Sequence, residues 1–394
     1  MPETRKPLFS RRYLKALIWL LPGLILLLAS AGPDKLPAIQ QSPELKLYWL
    51  EQPERAEHEM RLLFDSGAIL TPSQRILQQV LAEHLQARLQ QPEIQSLLPA
   101  QHNSEVAALT DRLQLKLQWP AAQPAPRLGP LLAALAQPGD PAWQQRRFEQ
   151  QRAQAYLDSQ TPDQRLLNLM QEALRETPSE PVSPGHLHAF EQRLFSQPPL
   201  VLLGGPAAAE MAAAIGLESI SEGTAKASRL HLHDGIIRLR IEDPRLPHAL
   251  LLGTVTDGQA SKEQARERLA LAALQHLLEQ QPALEFRLVW RSWRRQGYQA
   301  LILLGEAPPL QPLADQADGA LIGLAREQLL QDYRDRLRSP DGQLDRLETI
   351  AFYGLPDRQL DTQLRTLEQV PVGDIAARIT QYLDPETQIR IELN

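Results

Sequence analysis

Residues 59–84, EMRLLFDSGAILTPSQRILQQVLAEH, predict a strand, a turn and an amphipathic helix in immediate succession. The strand covers residues 59–64, and the Asp-Ser-Gly at residues 65–67 turns the chain. Pro72 marks the first turn of the helix, where proline is favoured, and apolar residues then recur at helical spacing over residues 76–89. A strand that leads through a tight turn into a long helix indicates a sheet covered by helices.

Strands and helices of this kind recur along the rest of the chain. Further strands are expected at residues 45–50, 113–119, 200–203, 230–241, 249–256, 286–293, 299–304 and 388–393. Further helices are expected at residues 128–136, 141–157, 161–175, 186–195, 207–215, 262–280, 312–338, 343–353, 361–369 and 374–382. Residues 176–185 contain three prolines and no large hydrophobic cluster, which predicts a boundary. We therefore expect an α+β fold of two successive halves, residues 45–178 and 186–394, each an antiparallel sheet packed with helices.

Composition excludes several classes of protein. The 394 residues are 43% hydrophobic, enough for two or three domains, so wholesale disorder is excluded. The net charge of −6 lacks the basic footprint of a nucleic-acid binder. The absence of cysteine rules out disulfides, thiolate metal sites, a cysteine nucleophile and a lipidated cysteine, so any metal must be held by His, Asp or Glu. No G-x-S-x-G motif occurs to support a serine hydrolase.

The N-terminus has the pattern of an export signal. Five basic residues among the first fifteen precede an uncharged, mostly apolar stretch at residues 16–33. The small residues at 29–31 have the spacing of a signal peptidase site, so a cleaved signal peptide and a retained membrane anchor both remain open for residues 1–33. Residues 34–44 form a tether. We expect the protein to lie in the bacterial envelope. It is either anchored in the inner membrane with its folded part in the periplasm, or released into the periplasm after cleavage.

The five residues 80–84, Val-Leu-Ala-Glu-His, hold part of a metal motif. A zinc site on a single helix turn needs a histidine at both ends, with the glutamate beside the second histidine as general base. Val80 occupies the first position, whereas Glu83 and His84 occupy the last two. By local chemistry alone, Glu83 and His84 are expected to form an exposed pair on the helix surface.

At this motif the chain resembles the M16 (insulinase and pitrilysin-like) peptidase superfamily. Residues 62–67 followed by residues 80–84 are similar to its F-x-x-G turn and its inverted zinc motif His-x-x-Glu-His. The C-terminal segments look like the family's last helices: RLRSPDGQLDRL at 336–347, AFYGLP at 351–356, LD at 360–361, VGDI at 372–375 and YLDP at 382–385. Residues 186–203 resemble the start of its second half. The resemblance covers residues 45–394 and implies two halves that enclose a peptide chamber.

The departures from the family pattern point to a degenerate member without a cofactor. By the resemblance, the first zinc histidine falls on Val80, which cannot bind a metal, and the third ligand falls near Glu149. Trp293 and Ala300 stand where the family has the Arg and Tyr that hold the substrate carbonyl. The vestigial site would consist of Glu83, His84 and Glu149. The resemblance therefore implies a non-catalytic chain that works as the partner of an active M16 metallopeptidase.

Two alternatives remain open at this stage. An active zinc metalloendopeptidase would need off-pattern ligands such as His58 or His102. A structural envelope protein would keep the fold without a peptide or a partner.

The most basic stretch of the chain lies at residues 287–295, where arginines alternate with Trp290 and Trp293. A groove for substrate or partner segments would be lined by Arg287, Arg291, Arg294 and Tyr298. The alternative is a surface ribbon with Arg295 and its neighbours in solvent.

Two shorter features favour structural roles. His231 and His233 alternate on an expected strand and so share one face, but a metal there lacks a third ligand, because Asp234 points the other way. Gly204 and Gly205 precede a helix, where an anion could bind, yet no phosphate-binding glycine motif surrounds them and a plain tight turn is expected.

Overall fold

The computed structural model describes residues 37–42, 46–175, 182–216, 231–306 and 308–394. Its strands are β1 Gln40–Gln41, β2 Leu47–Glu51, β3 Glu57–Asp65, β4 Asn103–Ala108, β5 Arg112–Pro120, β6 Leu200–Gly205, β7 Arg238–Ile241, β8 Ala249–Asp257, β9 Glu285–Ser292, β10 Gln296–Leu304 and β11 Ile389–Leu393. Its helices are α1 Pro72–Leu89, α2 Pro92–Gln95, α3 Leu128–Leu135, α4 Pro141–Asp158, α5 Pro162–Ala173, α6 Pro184–Phe195, α7 Ala208–Gly216, α8 Gln264–Glu279, α9 Leu310–Ala314, α10 Gly319–Arg338, α11 Pro340–Tyr353, α12 Gln359–Gln369 and α13 Val372–Tyr382.

The predicted export segment, residues 1–33, lies outside the described residues, as do residues 34–36 and 43–44 of the predicted tether. Residues 37–42 of the tether are described, and they include β1, which pairs with β2. Within the described ranges, no helix is both long enough and apolar enough to cross a membrane.

The strands form two sheets that have the same internal order once the two-residue edge strand β1 is set aside. Sheet 1 runs β1-β2-β6-β3-β5-β4 and sheet 2 runs β7-β11-β8-β10-β9. In each sheet the last strand in the sequence inserts between the first two long strands and pairs in parallel with the first: β6 with β2, and β11 with β7. All other pairs are antiparallel. The fold is therefore a duplicated mixed α/β architecture, as the α+β prediction anticipated, but each sheet contains one parallel pair.

Each sheet receives one helix from the other half of the chain. Helix α5 belongs to the sequence of the first half but packs on sheet 2, where Leu166 and Met170 contact the core under β8 and β10. Helix α11 comes from the second half but packs on sheet 1, where Leu344 and Leu347 meet Leu202. This reciprocal exchange joins the two halves, because the residues that unite them are fully buried.

The boundary expected at residues 176–185 lies largely outside the described residues, which resume at residue 182. The preceding helix, α5, lies on sheet 2, whereas the following helix, α6, lies on sheet 1 and is followed by β6 of the same sheet. Sheet 1 therefore uses strands up to residue 205, and sheet 2 begins at residue 238. The strands of sheet 1 therefore extend past the boundary expected from the sequence.

Three local predictions are wrong, and one strand was not predicted. Of the strand expected at 230–241, only residues 238–241 are extended, and residues 231–237 form no regular element. The expected helix at 312–338 is divided into α9 and α10, and α10 begins where Asp318 caps Leu321 N. Gly204 and Gly205 are the last residues of β6 and not a turn before a helix. The edge strand β4, whose sequence Asn-Ser-Glu-Val-Ala-Ala lacks a strong pattern, was not expected.

The two glycines at the end of β6 allow close packing. A Cβ on Gly204 would lie 2.6 Å from a methyl of Leu344, so α11 can approach β6 only at a glycine. Gly205 has φ +140°, a backbone region that favours glycine, and a Cβ there would meet the ring of His58. Packing explains both residues without an anion.

Candidate functional site

Helix α1 carries the motif residues and is fixed firmly on sheet 1. The hydroxyl of Thr71 accepts a hydrogen bond from Gln74 N, and the Gln74 side chain accepts one from Thr71 N, which completes a capping box. Pro72 begins the helix. Its apolar side packs under the sheet through Leu77, Leu81 and Leu85. The orientation of residues 80–84 therefore follows from the core and is rigidly defined.

Val80 is fully buried in that core, with 0% of its surface exposed. Its side chain offers no lone pair, so the first position of the motif contributes only packing.

His84 is buried, with 6% of its surface exposed, so the expectation of an exposed pair was wrong. Its ring contacts Trp143 of α4 at 5.6 Å, and its Nε2 lies 3.7 Å from Oε1 of Glu191 on α6. Burial, with a smaller contribution from the charge of Arg88, lowers the pKa of His84 to about 4. Burial also raises the pKa of Glu191. The imidazole is thus neutral at pH 7, and it points toward α6.

Glu83 faces α4 and is half-buried. Its Oε1 accepts a hydrogen bond of 2.5 Å from Gln151 Nε2, and its Oε2 lies 3.8 Å from Nε of Arg147. Glu149, the predicted third ligand, lies on the exposed side of α4, where Gln145 donates to its carboxylate. Phe148 is the buried residue of α4 and marks the side of the helix that faces the core. Glu149, the next residue, projects about 100° away from that side.

These side chains do not fit the zinc centre that the family resemblance implies. The first ligand position is a hydrocarbon, the third is exposed and turned away, and the glutamate already faces a guanidinium. A zinc ion near Glu83 would be repelled by Arg147. In the described part of the chain, no three His, Asp or Glu side chains are grouped as a metal site requires. The two histidines proposed as off-pattern ligands, His58 and His102, belong to no such group either. His58 lies against Trp119, and Nδ1 of His102 is 2.8 Å from Pro99 O.

Two cavities follow the outer side of α1, and we call them together the α1–α4 groove. The first, of about 150 Å³, is lined by Pro72, Arg75, Ile76, Gln79, Gln151, Gln154, Ala155, Asp158, Gln164 and Asn168. The second, of about 380 Å³, is lined by Gln79, Ala82, Glu83, Gln86, Ala87, Gln90, Val106, Trp143 and Arg147. Gln79 borders both, so they are adjacent. Six glutamines and one asparagine supply neutral donors and acceptors, which is suitable chemistry for a peptide main chain.

One of these glutamines is bound to the edge of sheet 1. Gln86 Oε1 accepts a hydrogen bond of 2.8 Å from Val106 N, and Gln86 Nε2 donates to Ser104 O at 3.3 Å. Both backbone groups belong to β4, the last strand of the sheet. A side-chain amide therefore occupies the positions at which another strand would pair.

The predicted second groove, on β9 and β10, is only partly accessible. Arg287 and Arg291 are exposed; Arg287 pairs with Asp163 of α5 at 2.5 Å, and Arg291 donates to Trp290 O. Arg294 is also exposed and lies close to Gly354. Tyr298, in contrast, is 1% exposed.

The buried Tyr298 contributes to the core. Its hydroxyl accepts a hydrogen bond from Gln171 Nε2 at 2.7 Å, and burial raises its pKa. Trp293 packs beside it with a ring separation of 5.9 Å, and Ala300 is fully buried. Neither Trp293 nor Ala300 offers a group for a substrate carbonyl, since the indole N–H already lies 3.3 Å from Thr110 O.

His233 is exposed, and its backbone N–H donates to Leu174 O. Because residues 231–237 do not form a strand, the two histidines are not arranged on a shared strand face as expected.

No family model matches this sequence, and no curated protein matches it either. Solved structures do match. An inactive M16 peptidase domain from Pseudomonas fluorescens superposes with a TM-score of 0.68 at 16% identity, covering 90% of this chain and 98% of that one. The chain has the fold of the M16 peptidases.

Two further structures agree with this. A protease from Helicobacter pylori gives a TM-score of 0.68 at 12% identity, over 91% of this chain and 100% of that one. The ferredoxin protease FusC, solved in complex with Arabidopsis ferredoxin, gives a TM-score of 0.60 at 13% identity. That match covers 90% of this chain and 45% of FusC. The M16 fold implied by the sequence motifs is thereby confirmed.

Proposed function

We propose that this chain is a non-catalytic M16 homologue that binds peptide segments in the α1–α4 groove and works beside an active M16 metallopeptidase. The observation that carries the proposal is the contact between Arg147 and Glu83, which places a protein cation beside the glutamate of the degenerate motif. Val80 and the neutral, buried His84 support it, because neither is arranged to bind a metal in that groove.

The groove supports the peptide-binding part of the proposal. Its walls carry amides in place of a nucleophile or a ligand set, so a bound segment is held and not cleaved. The FusC structure, in which a protease of this fold is bound to another protein, motivates the search for a protein or peptide ligand. The inactive Pseudomonas fluorescens domain is a precedent for an M16 fold without activity.

The proposal also includes a partner subunit and a cellular location. A chain that has lost the metal but kept the fold is useful when an active subunit completes the chamber. The basic and apolar residues 5–33 support attachment to the inner membrane or export to the periplasm, which would place both subunits in the envelope.

Co-purification under mild cross-linking tests the partnership. The tagged full-length chain is captured from its native host, and bound proteins are sequenced by mass spectrometry. We expect an M16 chain that retains His-x-x-Glu-His at near-equal amount. Recovery of the chain alone, with no such protein after cross-linking, would contradict the pairing and favour a structural envelope role.

A further inference from the structure

Arg75 places a positive charge at one end of the α1–α4 groove. It lies one turn into α1 and lines the cavity of about 150 Å³. Among the described residues, none forms a hydrogen bond or an ion pair with its guanidinium. Its side chain is exposed to solvent, yet the walls of the cleft remove much of the water around it and lower its pKa. A guanidinium that is partly dehydrated and unpaired is available for an anionic ligand.

Two more arginines reinforce the positive potential at this place. Arg291 and Arg287 of β9 are close enough to lower the pKa of Arg75 further by charge repulsion. Arg287 is neutralised by Asp163, whereas Arg291 donates only to a backbone carbonyl among the described residues. Asp158 is the acid that lines the cavity, and Gln154 already donates to its carboxylate at 2.7 Å. The two positive charges of Arg75 and Arg291 are therefore only partly balanced by the one negative charge of Asp158.

The rest of the cavity wall is neutral. Gln79 has no hydrogen-bond partner in the described structure, while Gln164 is bound to Asn168 within α5. Neutral amides do not compensate the positive charge of Arg75, so this charge favours ligands that carry a negative charge. The amides can form hydrogen bonds with the main chain of a peptide of any sequence.

We infer that Arg75, supported by Arg291, binds a carboxylate of the peptide held in the α1–α4 groove. This inference rests on the proposed peptide-binding function and adds its specificity. The planar guanidinium donates two parallel N–H groups to the two oxygens of a carboxylate, and the surrounding cleft strengthens that pair by excluding water. The carboxylate comes from either an acidic side chain or the C-terminus, and the two sources share this chemistry.

Selection from random peptides tests the inference and needs no identified ligand. The full-length chain is immobilised and exposed to a pool of random nonapeptides with free C-termini and, separately, to the same pool with amidated C-termini. Retained peptides are quantified by mass spectrometry. Arg75→Gln removes the guanidinium but keeps a polar side chain. Arg152→Gln, on the exposed side of α4 and outside both cavities, is the matched control.

The expected result is enrichment of carboxylate-bearing peptides by roughly tenfold on the wild-type chain and on Arg152→Gln, and loss of this enrichment on Arg75→Gln. Loss of retention upon amidation alone identifies the C-terminus, whereas continued enrichment of Asp and Glu in the amidated pool identifies a side chain. Peptides retained without any preference for carboxylates, or a preference unchanged in Arg75→Gln, would overturn the inference and leave the proposed groove standing. No retention from either pool would overturn both.

Discussion

The guanidinium of Arg147 on α4 lies 3.8 Å from the carboxylate of Glu83 on α1, measured from Nε to Oε2. In the family that the sequence resembles, the corresponding glutamate acts beside a zinc ion. Here the charge beside it is supplied by the protein. The departure from the family motif therefore involves side chains of two helices, α1 and α4, and not Val80 alone.

Restoring the missing histidine alone should not restore a metal site. Val80→His leaves Arg147 beside Glu83 and leaves His84 directed toward Glu191, so we expect less than stoichiometric zinc by elemental analysis. The buried imidazole should also lower the free energy of unfolding by about 1–3 kcal/mol, because it enters apolar surroundings. Val80→Phe, which adds a ring but no ligand atom, is the control for steric effects. A single tightly bound zinc in Val80→His, with a gain in stability when zinc is added, would show that the remaining ligands are still in place.

His84 should make the protein acid-sensitive over a defined range. Its pKa is about 4 in the folded chain and 6.5 in an unfolded one, so the unfolded state binds the proton more readily as the pH falls. The stability is complete above pH 6.5, decreases between pH 6.5 and 4, and changes no further below 4 on account of this group. The loss amounts to about 3 kcal/mol.

A comparison of the wild type with His84→Gln isolates that contribution. Glu191, whose pKa is raised, acts in the opposite direction, because a buried carboxyl prefers to be protonated and gains stability as the pH falls. Unfolding free energies from urea titrations at pH 7, 6, 5 and 4 should therefore fall more steeply in the wild type than in His84→Gln. Parallel curves for the two proteins would contradict the buried, neutral state of His84.

The charged network between sheet 1 and α11 should be highly sensitive to the loss of one carboxylate. Glu348 accepts hydrogen bonds from Arg61 at 2.8 Å and from Arg112 at 2.6 Å, and all three side chains are nearly enclosed. Burial opposes the charge on Arg61, but Glu59 and Glu348 outweigh it and raise the pKa of Arg61. Glu348→Gln removes the charged acceptor that Arg61 and Arg112 share, although Arg61 keeps Glu59 and Asp345 and Arg112 keeps Asp111. We expect a loss of about 1.5–3 kcal/mol in unfolding free energy, the usual cost of losing a hydrogen bond to a charged group.

Asp341 offers the matched control, since its side chain pairs with Arg55 but is 65% exposed. Asp341→Asn should cost less than about 1 kcal/mol in the same urea titration. Equal effects of the two substitutions would show that the network does not hold α11 on the sheet.

Gly204 is the position where α11 and β6 come closest. A Cβ there would lie 2.6 Å from Leu344 and 2.9 Å from Gln52, so Gly204→Ala should lower the melting temperature, at a cost of about 1–3 kcal/mol. Gly323 in α10 is the matched control, because no neighbouring atom lies within 4 Å of the position that its Cβ would occupy. Gly323→Ala should therefore be neutral or stabilising by up to about 1 kcal/mol. A destabilised Gly323→Ala together with an unaffected Gly204→Ala would contradict the packing described here.

Much of the fold follows from local sequence. The spacing of Leu77, Leu81 and Leu85 and the Thr71 cap define α1, and strict alternation defines β5. The C-terminal motifs identified the M16 fold. The reciprocal exchange of α5 and α11 was not predictable, because nothing in an amphipathic helix says which of two apolar sheets it will cover. The sheet order depends on pairings across more than a hundred residues, such as β2 with β6.

The candidate site was predicted in its residues but not in their surroundings. The sequence located Val80, Glu83 and His84, yet the residues that lie against His84, Trp143 of α4 and Glu191 of α6, come from distant parts of the chain. The exposed position of Glu149 was hard to predict because its helix has few apolar residues to define a buried face, and Phe148 is the one fully buried residue of that helix. Arg75 and Arg147 were missed, since in the sequence they are two of many arginines on polar helix surfaces.

The zinc content of the purified full-length chain tests the central claim most directly. After incubation with equimolar zinc and removal of free metal, elemental analysis of the wild type and of His84→Ala should find no stoichiometric zinc in either protein and no difference between them. One zinc per wild-type chain that is lost in His84→Ala, together with zinc-dependent cleavage of peptides, would contradict the account and establish an active metallopeptidase.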